Sequence, residues 1–258
     1  MKQLLLASTA ILCGGAALAS DLPPRVSSKA AMAYAAAPRS WTGCYIGAHA
    51  GAGWGRTDFS DPAGGNIAPL GDTIGVDGGT AFIGGGQLGC DYQFASNWVV
   101  GLAGDFSWAN IQGETNDPFF SGKGPPGTPL PLHSRTDFLA SATGRVGYAW
   151  DQYLVYAKGG AAWSHNKYEA NNFGCIIFTP CNVSASDTPF GWTAGVGFGW
   201  AFAQKWSMLV EYDHYGFANK DLTFVDPAHP TAPAVFGVKQ EIDVFKLGIN
   251  YRFGGLLR

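Results

Sequence analysis

Asn97-Trp98-Val99-Val100-Gly101-Leu102-Ala103-Gly104-Asp105-Phe106-Ser107-Trp108 decides how this chain is read. One alternate set is Trp98, Val100, Leu102, Gly104, Phe106 and Trp108. The other is Val99, Gly101, Ala103, Asp105 and Ser107. Period-two alternation marks a strand with two unlike faces. The bulky apolar face carries a tryptophan at each end, and the small-residue face carries the charge. The two tryptophans stand ten positions apart. At ~3.3 Å per residue and a tilt of about 40°, they lie roughly 25 Å apart along a barrel axis, the height of a lipid-facing band between two aromatic girdles. The stretch reads as a strand whose large face meets lipid.

Composition agrees with a strand-built membrane protein. Of 258 residues, 47% are hydrophobic, only 14% are charged, and 37 are glycine. Past the first dozen residues, no apolar run approaches the ~18 needed by a membrane-spanning helix. A net charge of −3 gives no basic footprint, so nucleic acid is not an expected partner. Lys2, the apolar stretch Leu4 to Leu12, and Ala17-Leu18-Ala19 read as a secretory signal over 1–19. Cys13 invites a lipoprotein reading, but Leu12 occupies the place where that chemistry expects a small residue. Residues 20–40 read as a periplasmic lead-in. Export permits disulfides.

Seven sibling segments follow from the same alternation. About 41–56 places Cys44, Ile46, Ala48, Ala50, Ala52 and Trp54 outward, with Tyr45 and His49 inward. About 79–94 places Phe82, Leu88, Cys90, Tyr92 and Phe94 opposite Gln87, Asp91 and Gln93. About 135–150 sets Phe138, Val146, Tyr148 and Trp150 against Arg135, Asp137, Ser141, Thr143 and Arg145. About 153–168 sets Val155, Ala157, Ala161 and Trp163 against Tyr156, Lys158, Ser164 and Asn166. Trp192, Val196, Phe198, Trp200 and Phe202 face outward over about 189–203. Trp206, Met208, Val210 and Tyr212 oppose Ser207, Glu211 and Asp213 over about 206–217. Phe245, Leu247, Ile249, Tyr251 and Phe253 oppose Lys246, Asn250 and Arg252 over about 238–253.

With the opening stretch, these make an all-β, eight-stranded antiparallel transmembrane β-barrel over 41–253, with a tail at 254–258. Short and long connections alternate, as expected for periplasmic turns and four long extracellular loops. Prolines 118, 125, 126, 129 and 131 assign 110–134 to a loop, because strand ladders do not tolerate them. A soluble barrel would reverse the faces, with polar residues outside and an apolar cavity inside.

The placed segments resemble the alphaproteobacterial outer-membrane immunogenic protein family, porin-like proteins with an OmpA-like eight-stranded barrel. The matching stretches include Trp41-Thr42-Gly43-Cys44-Tyr45-Ile46-Gly47, Gly84 to Gln93, Gly104-Asp105-Phe106, Gly144-Arg145-Val146-Gly147-Tyr148, Gly191-Trp192-Thr193-Ala194-Gly195, Glu211-Tyr212 and Asn250-Tyr251-Arg252-Phe253. The resemblance implies a surface-exposed barrel in the outer membrane of a Gram-negative bacterium, and no reaction. Members often carry an acid where this chain has Ala103, a base near Thr143 and an acid at Gly199. Those departures imply a thinner internal polar network.

Several motifs need weighing. Gly84-x-Gly86-x-x-Gly89 matches a dinucleotide fingerprint on paper, but it lies inside an alternating strand with no helix after it. His165 and His214 fall on the outward parity, where an outer-membrane lipid-modifying enzyme would keep a His-Ser-acid group. The nearest outward acids are Glu241 and Asp243, and no serine matches either histidine. Asn182-Val183-Ser184 reads as a chance sequon.

The expected lumen charge network is Asp91, Asp105, Arg145, Lys158, Glu211, Asp213, Lys246 and Arg252, with Glu211 in reach of Arg145, Lys158 or Lys246. An unpaired charge in a narrow lumen is costly, so a plug of mutual ion pairs is expected ahead of a porin-like channel for small solutes. Girdle tryptophans are Trp54, Trp98, Trp108, Trp150, Trp163 and Trp206. The last strand, Phe245 to Phe253, is like an assembly signal. Removing Cys13 with the signal leaves four cysteines and three pairings. Cys44 and Cys90 share outward parity near the same end of neighbouring antiparallel strands, and Cys175 and Cys181 share one loop. Cys44–Cys90 and Cys175–Cys181 are therefore expected, with Ile46 opposite Leu88 and Ala52 opposite Phe82. No cofactor or metal is expected. Expected partners are outer-membrane lipids, lipopolysaccharide, the barrel assembly machinery during insertion, and a host or environmental ligand at the loops.

Overall fold

The computed structural model describes residues 40–62, 73–117, 130–176, 179–228, 230 and 233–253. The expected signal at 1–19, the lead-in before residue 40 and the tail at 254–258 lie outside the described residues. Ten antiparallel strands form a ring: β1 Gly43–Ser60, β2 Thr73–Asp77, β3 Ala81–Gln93, β4 Trp98–Asp117, β5 Leu130–Trp150, β6 Tyr153–Ile176, β7 Thr179–Asp187, β8 Phe190–Trp200, β9 Trp206–Phe224 and β10 Ala234–Phe253. β10 pairs with β1 and closes the ring. Closure removes the open edge that lipid would leave unsatisfied.

The count differs from the expected eight, and the cause is local. β2 pairs with Arg56–Ser60 of β1, the part that β3 leaves unpaired. β7 pairs with β6 above the segment that pairs with β8. Both extra strands come from stretches expected to be loops. The strands also run further than expected, because alternation continues there with the apolar residues turned inward. β5 includes Pro131, which the sequence assigned to a loop. Pro131 pairs with Asn116 of β4, while pairing with β6 starts only at Leu132, so its missing N–H interrupts no second ladder.

The turns at one end are tight. Asn97 (φ 67°) and Asp151 (φ 54°) take the left-handed conformation that short polar side chains tolerate, at the β3–β4 and β5–β6 connections.

Outward, the apolar band is continuous: Phe82, Leu88, Leu102, Trp108, Val196 and Leu247 are all exposed. Inward, the barrel is stratified. Trp41, Val99, Ala149, Leu154 and Tyr156 pack at the tight-turn end. A charged layer lies above them. Next come Ile83, Ile111, Leu139, Ala162, Tyr215, Phe217, Ile242 and Val244. A hydroxyl–amide layer follows, where Gln240 donates to Thr136 (3.0 Å) and Thr136 to Asn166 (2.9 Å). Phe59, Leu132, Tyr168, Phe224 and Phe236 pack at the far end.

Around this last layer the faces exchange character. Its apolar residues point inward, and Asp58, Lys167, Lys220 and Lys239 point out into ion pairs. That is the polarity of a soluble barrel, and it marks where the wall leaves the apolar band. Register shifts fall at this level, between Trp108 and Ile111, Thr136 and Phe138, and Val238 and Gln240. Bulges are common at barrel rims. The shift beside Asp137 overturns the inward placement of Arg135 and Asp137. It flips parity, and Arg135 and Lys167 meet Asp137 on the outer face at 2.8 and 2.7 Å.

Candidate functional site

The candidate site is the charged layer. Lys158 of β6 reaches Glu211 at 2.5 Å, Asp213 at 3.0 Å and Asp105 at 3.5 Å. Lys246 of β10 reaches Asp213 at 2.6 Å, Glu211 at 3.0 Å and Asp105 at 3.5 Å. All five side chains are at most 7% exposed. Ser141 donates to Asp105 (2.6 Å) and Tyr156 to Glu211 (2.7 Å), so these two carboxylates have neutral donors as well as ammonium groups.

A second group lies nearer the tight turns. Arg145 of β5 grips Asp91 of β3 through Nε (2.8 Å) and Nη2 (2.5 Å). Arg252 of β10 reaches the same carboxylate at 3.0 Å and donates to the carbonyls of Trp41 and Gly43. The Arg145 guanidinium sits over the Tyr45 ring (4.8 Å) and the Tyr156 ring (4.9 Å). Glu211 was expected near Arg145, Lys158 or Lys246. Its partners are the two lysines, while Arg145 belongs to Asp91.

The first group carries two cations and three acids, and the second two cations and one acid, so the eight charges balance. Glycine permits the contacts. β8 lies between Lys158 and the acids of β9, and its inward residues there are Gly195 and Gly197. A Cβ on Gly195 would collide with the Asp213 carboxylate, and one on Gly197 with the Tyr156 ring. β4 lies between Asp91 and Arg145, and Gly101 faces both of them.

Sequence reading left a neutral chain out of the network. His49 contacts Gln87 (3.0 Å) and Ser107 (2.7 Å), and Gln87 donates to Asn250 (2.6 Å). The Gln87 oxygen only accepts, so His49 Nδ1 donates to it and Nε2 accepts from Ser107. Inward parity was the signal available for these residues. Tyr45 and Tyr156 carried the same parity but had no charge to draw notice.

Outside, Cys44 and Cys90 oppose each other and are disulfide-bonded. Ile46 opposes Leu88, and Ala52 opposes Phe82. The side chains of Cys175 and Cys181 lie outside the described residues. Trp54, Trp98, Trp108, Trp150, Trp163 and Trp206 all face outward. Trp98 packs edge-on to Tyr148, and Trp206 on Tyr251. Phe245, Leu247, Ile249, Tyr251 and Phe253 occupy the outer face of β10, which closes on β1. Of the two histidines, His214 bonds Asp243 (2.8 Å), which Tyr212 also bonds (2.7 Å), while His165 contacts Thr188 (3.0 Å).

A closed antiparallel ring with an apolar outside and a charged inside defines an outer-membrane β-barrel. The description "Outer membrane protein beta-barrel domain" matches residues 26–253, and the chain belongs to that family. Relatives named "31 kDa outer-membrane immunogenic protein" from Brucella melitensis and Brucella suis are 28% identical over 98% of this chain and 100% of theirs. They agree with the family resemblance read from the motifs, and with a place in the outer membrane of a Gram-negative bacterium. Among solved structures, the outer membrane protein OprG of Pseudomonas aeruginosa is 12% identical, with a TM-score of 0.44 over 83% of this chain and 97% of that one. The outer membrane protease OmpT of Escherichia coli is 12% identical, with a TM-score of 0.47 over 82% and 97%.

Proposed function

We propose that the protein is a structural, non-enzymatic barrel whose interior is filled by its own side chains and whose far end is displayed at the cell surface. In this reading the wall has eight columns. β2 extends the column of β3 along β1, and β7 extends that of β8 along β6. Tight turns then face the periplasm, and four long connections face outward. Outer-membrane lipids and lipopolysaccharide solvate the band, and the assembly machinery engages the last strand during insertion. The loops are free for host or environmental ligands. The word "immunogenic" in the names of the Brucella relatives supports surface exposure.

One observation carries the plug: Lys158, Lys246, Asp105, Glu211 and Asp213 are desolvated between two apolar layers. Eight-stranded barrels have interiors just wide enough for side chains to fill. Refolded protein in planar bilayers tests it. The expected result is conductance no greater than that of the bare bilayer. Steady unit conductance would replace the plug with a porin-like narrow channel.

A further inference from the structure

The Cys44–Cys90 bridge lies on the outer wall, and its surroundings are apolar on every side. The next outward pair along β1 and β3 is Ile46 and Leu88. Across the neighbouring ladders, Phe253 of β10 stands beside Cys44 and Leu102 of β4 beside Cys90. Toward the tight turn the next outward residues are Tyr92 of β3 and Val100 of β4. All six of these side chains are exposed, and so is Cys90 itself. Phe94 and Trp98 of the aromatic girdle lie nearer the turn still. The sulfurs therefore stand on the hydrocarbon side of that girdle, inside the lipid-facing band.

That position conflicts with the chemistry that makes the bond. A protein disulfide forms when a thiolate attacks another disulfide, so the reaction needs a charged sulfur and a partner in contact with it. An isolated anion is strongly disfavoured in hydrocarbon. A water-soluble carrier protein cannot follow the sulfurs there. In the finished barrel the site of the bond is closed to the reaction that creates it.

We propose that Cys44 and Cys90 are oxidised before the wall meets lipid, in the periplasm, by an aqueous disulfide-carrying protein, so that oxidation comes first and insertion second. One cysteine thiolate attacks the carrier disulfide, forms a mixed disulfide and releases one carrier thiolate. The second cysteine, also as its thiolate, attacks the first cysteine's sulfur in that mixed disulfide and releases the other carrier sulfur. The chain gives up two electrons and two protons, and the carrier ends as a dithiol. The bond holds β1 to β3 from the face of the sheet, so the other edge of β1 stays open for β10. After insertion the bond is equally out of reach of charged reductants.

The test uses the full chain carrying Cys13→Ser, Cys175→Ser and Cys181→Ser, refolded in its reduced form into phosphatidylcholine vesicles. Oxidised glutathione is the oxidant, and a maleimide gel shift after SDS counts the remaining thiols. A second variant moves the pair to the rim, with Arg56→Cys and Asp77→Cys added to Cys44→Ser and Cys90→Ser. Arg56 and Asp77 oppose each other on the outer face beyond the apolar band, and both are well exposed. Cys44 and Cys90 should link about a hundredfold more slowly in vesicles than in urea, whereas the rim pair should link at least as fast in vesicles as in urea. A Cys44–Cys90 bond made before refolding should survive tris(2-carboxyethyl)phosphine added to the vesicles. If only the oxidised chain inserts, judged by heat-dependent gel mobility, the same order follows. Equal rates for the two pairs in vesicles, fast or slow, would overturn the proposal. Neither measurement depends on whether the lumen conducts or on which end of the barrel faces the periplasm.

Discussion

Lys158 on β6 and Glu211 on β9 meet at 2.5 Å although a whole strand lies between them. The contact exists because β8 turns only Gly195 and Gly197 toward the lumen at that level. The glycine content of this chain is thus partly a set of spaces reserved for charged side chains. Asp91 and Arg145 use Gly101 of β4 in the same way.

Filling one of those spaces should break the network from a distance. Gly195→Val puts a branched side chain where the Asp213 carboxylate lies. We expect a loss of about 1–3 kcal/mol from overpacking, or more if the ion pairs separate. Urea unfolding in lipid vesicles reads it. A midpoint equal to that of the parent would mean that Asp213 has room to move.

Removing Glu211 tests the charge balance. Glu211→Ala leaves Lys158 and Lys246 with Asp105 and Asp213 only, and leaves the Tyr156 hydroxyl unbonded. Truncating one member of a buried pair costs about 3–5 kcal/mol. Water entering the lumen would shrink that figure. An unchanged unfolding midpoint would therefore count against a dry plug.

The disulfide should be a measurable clamp. Cys44→Ser with Cys90→Ser should lower stability by about 2–4 kcal/mol, the usual range for a bridge of moderate loop length. A non-reducing peptide map should join the two cysteine-containing peptides. Finding Cys44 linked to any other cysteine would refute the β1–β3 register as well as the bond.

The change of face character locates the lipid boundary. Arginine at Leu102, in the middle of the outward band, should cost about 2–4 kcal/mol, against about 0–1 for arginine at Val235, which faces outward beyond it. Similar costs at both positions would show that the band has been placed at the wrong height.

Intact protein should also resist SDS until boiled and shift in gel mobility on heating. Protein that stays monomeric and soluble without detergent would contradict a membrane barrel.

Strand class, the outward face and the Cys44–Cys90 pairing are all legible along the chain. A period of two is a local property, and each residue's parity follows from its neighbours along the chain. Parity failed where a local property stops being enough. One irregular residue near Asp137 reverses every side chain beyond it, so Arg135 and Asp137 lie outside and not inside. The same blindness hid β2, β7 and the far ends of β9 and β10. There the apolar residues turn inward, and an outward apolar stripe was the wrong signal to follow. Which charges pair was likewise settled only by the tertiary structure. Barrel stagger sets Lys158 opposite Gly195 and Glu211 opposite Lys246, and it gives Asp91, not Glu211, to Arg145. Stagger is fixed by the closure of β10 on β1, the sum of every register in the ring, and no single segment records it.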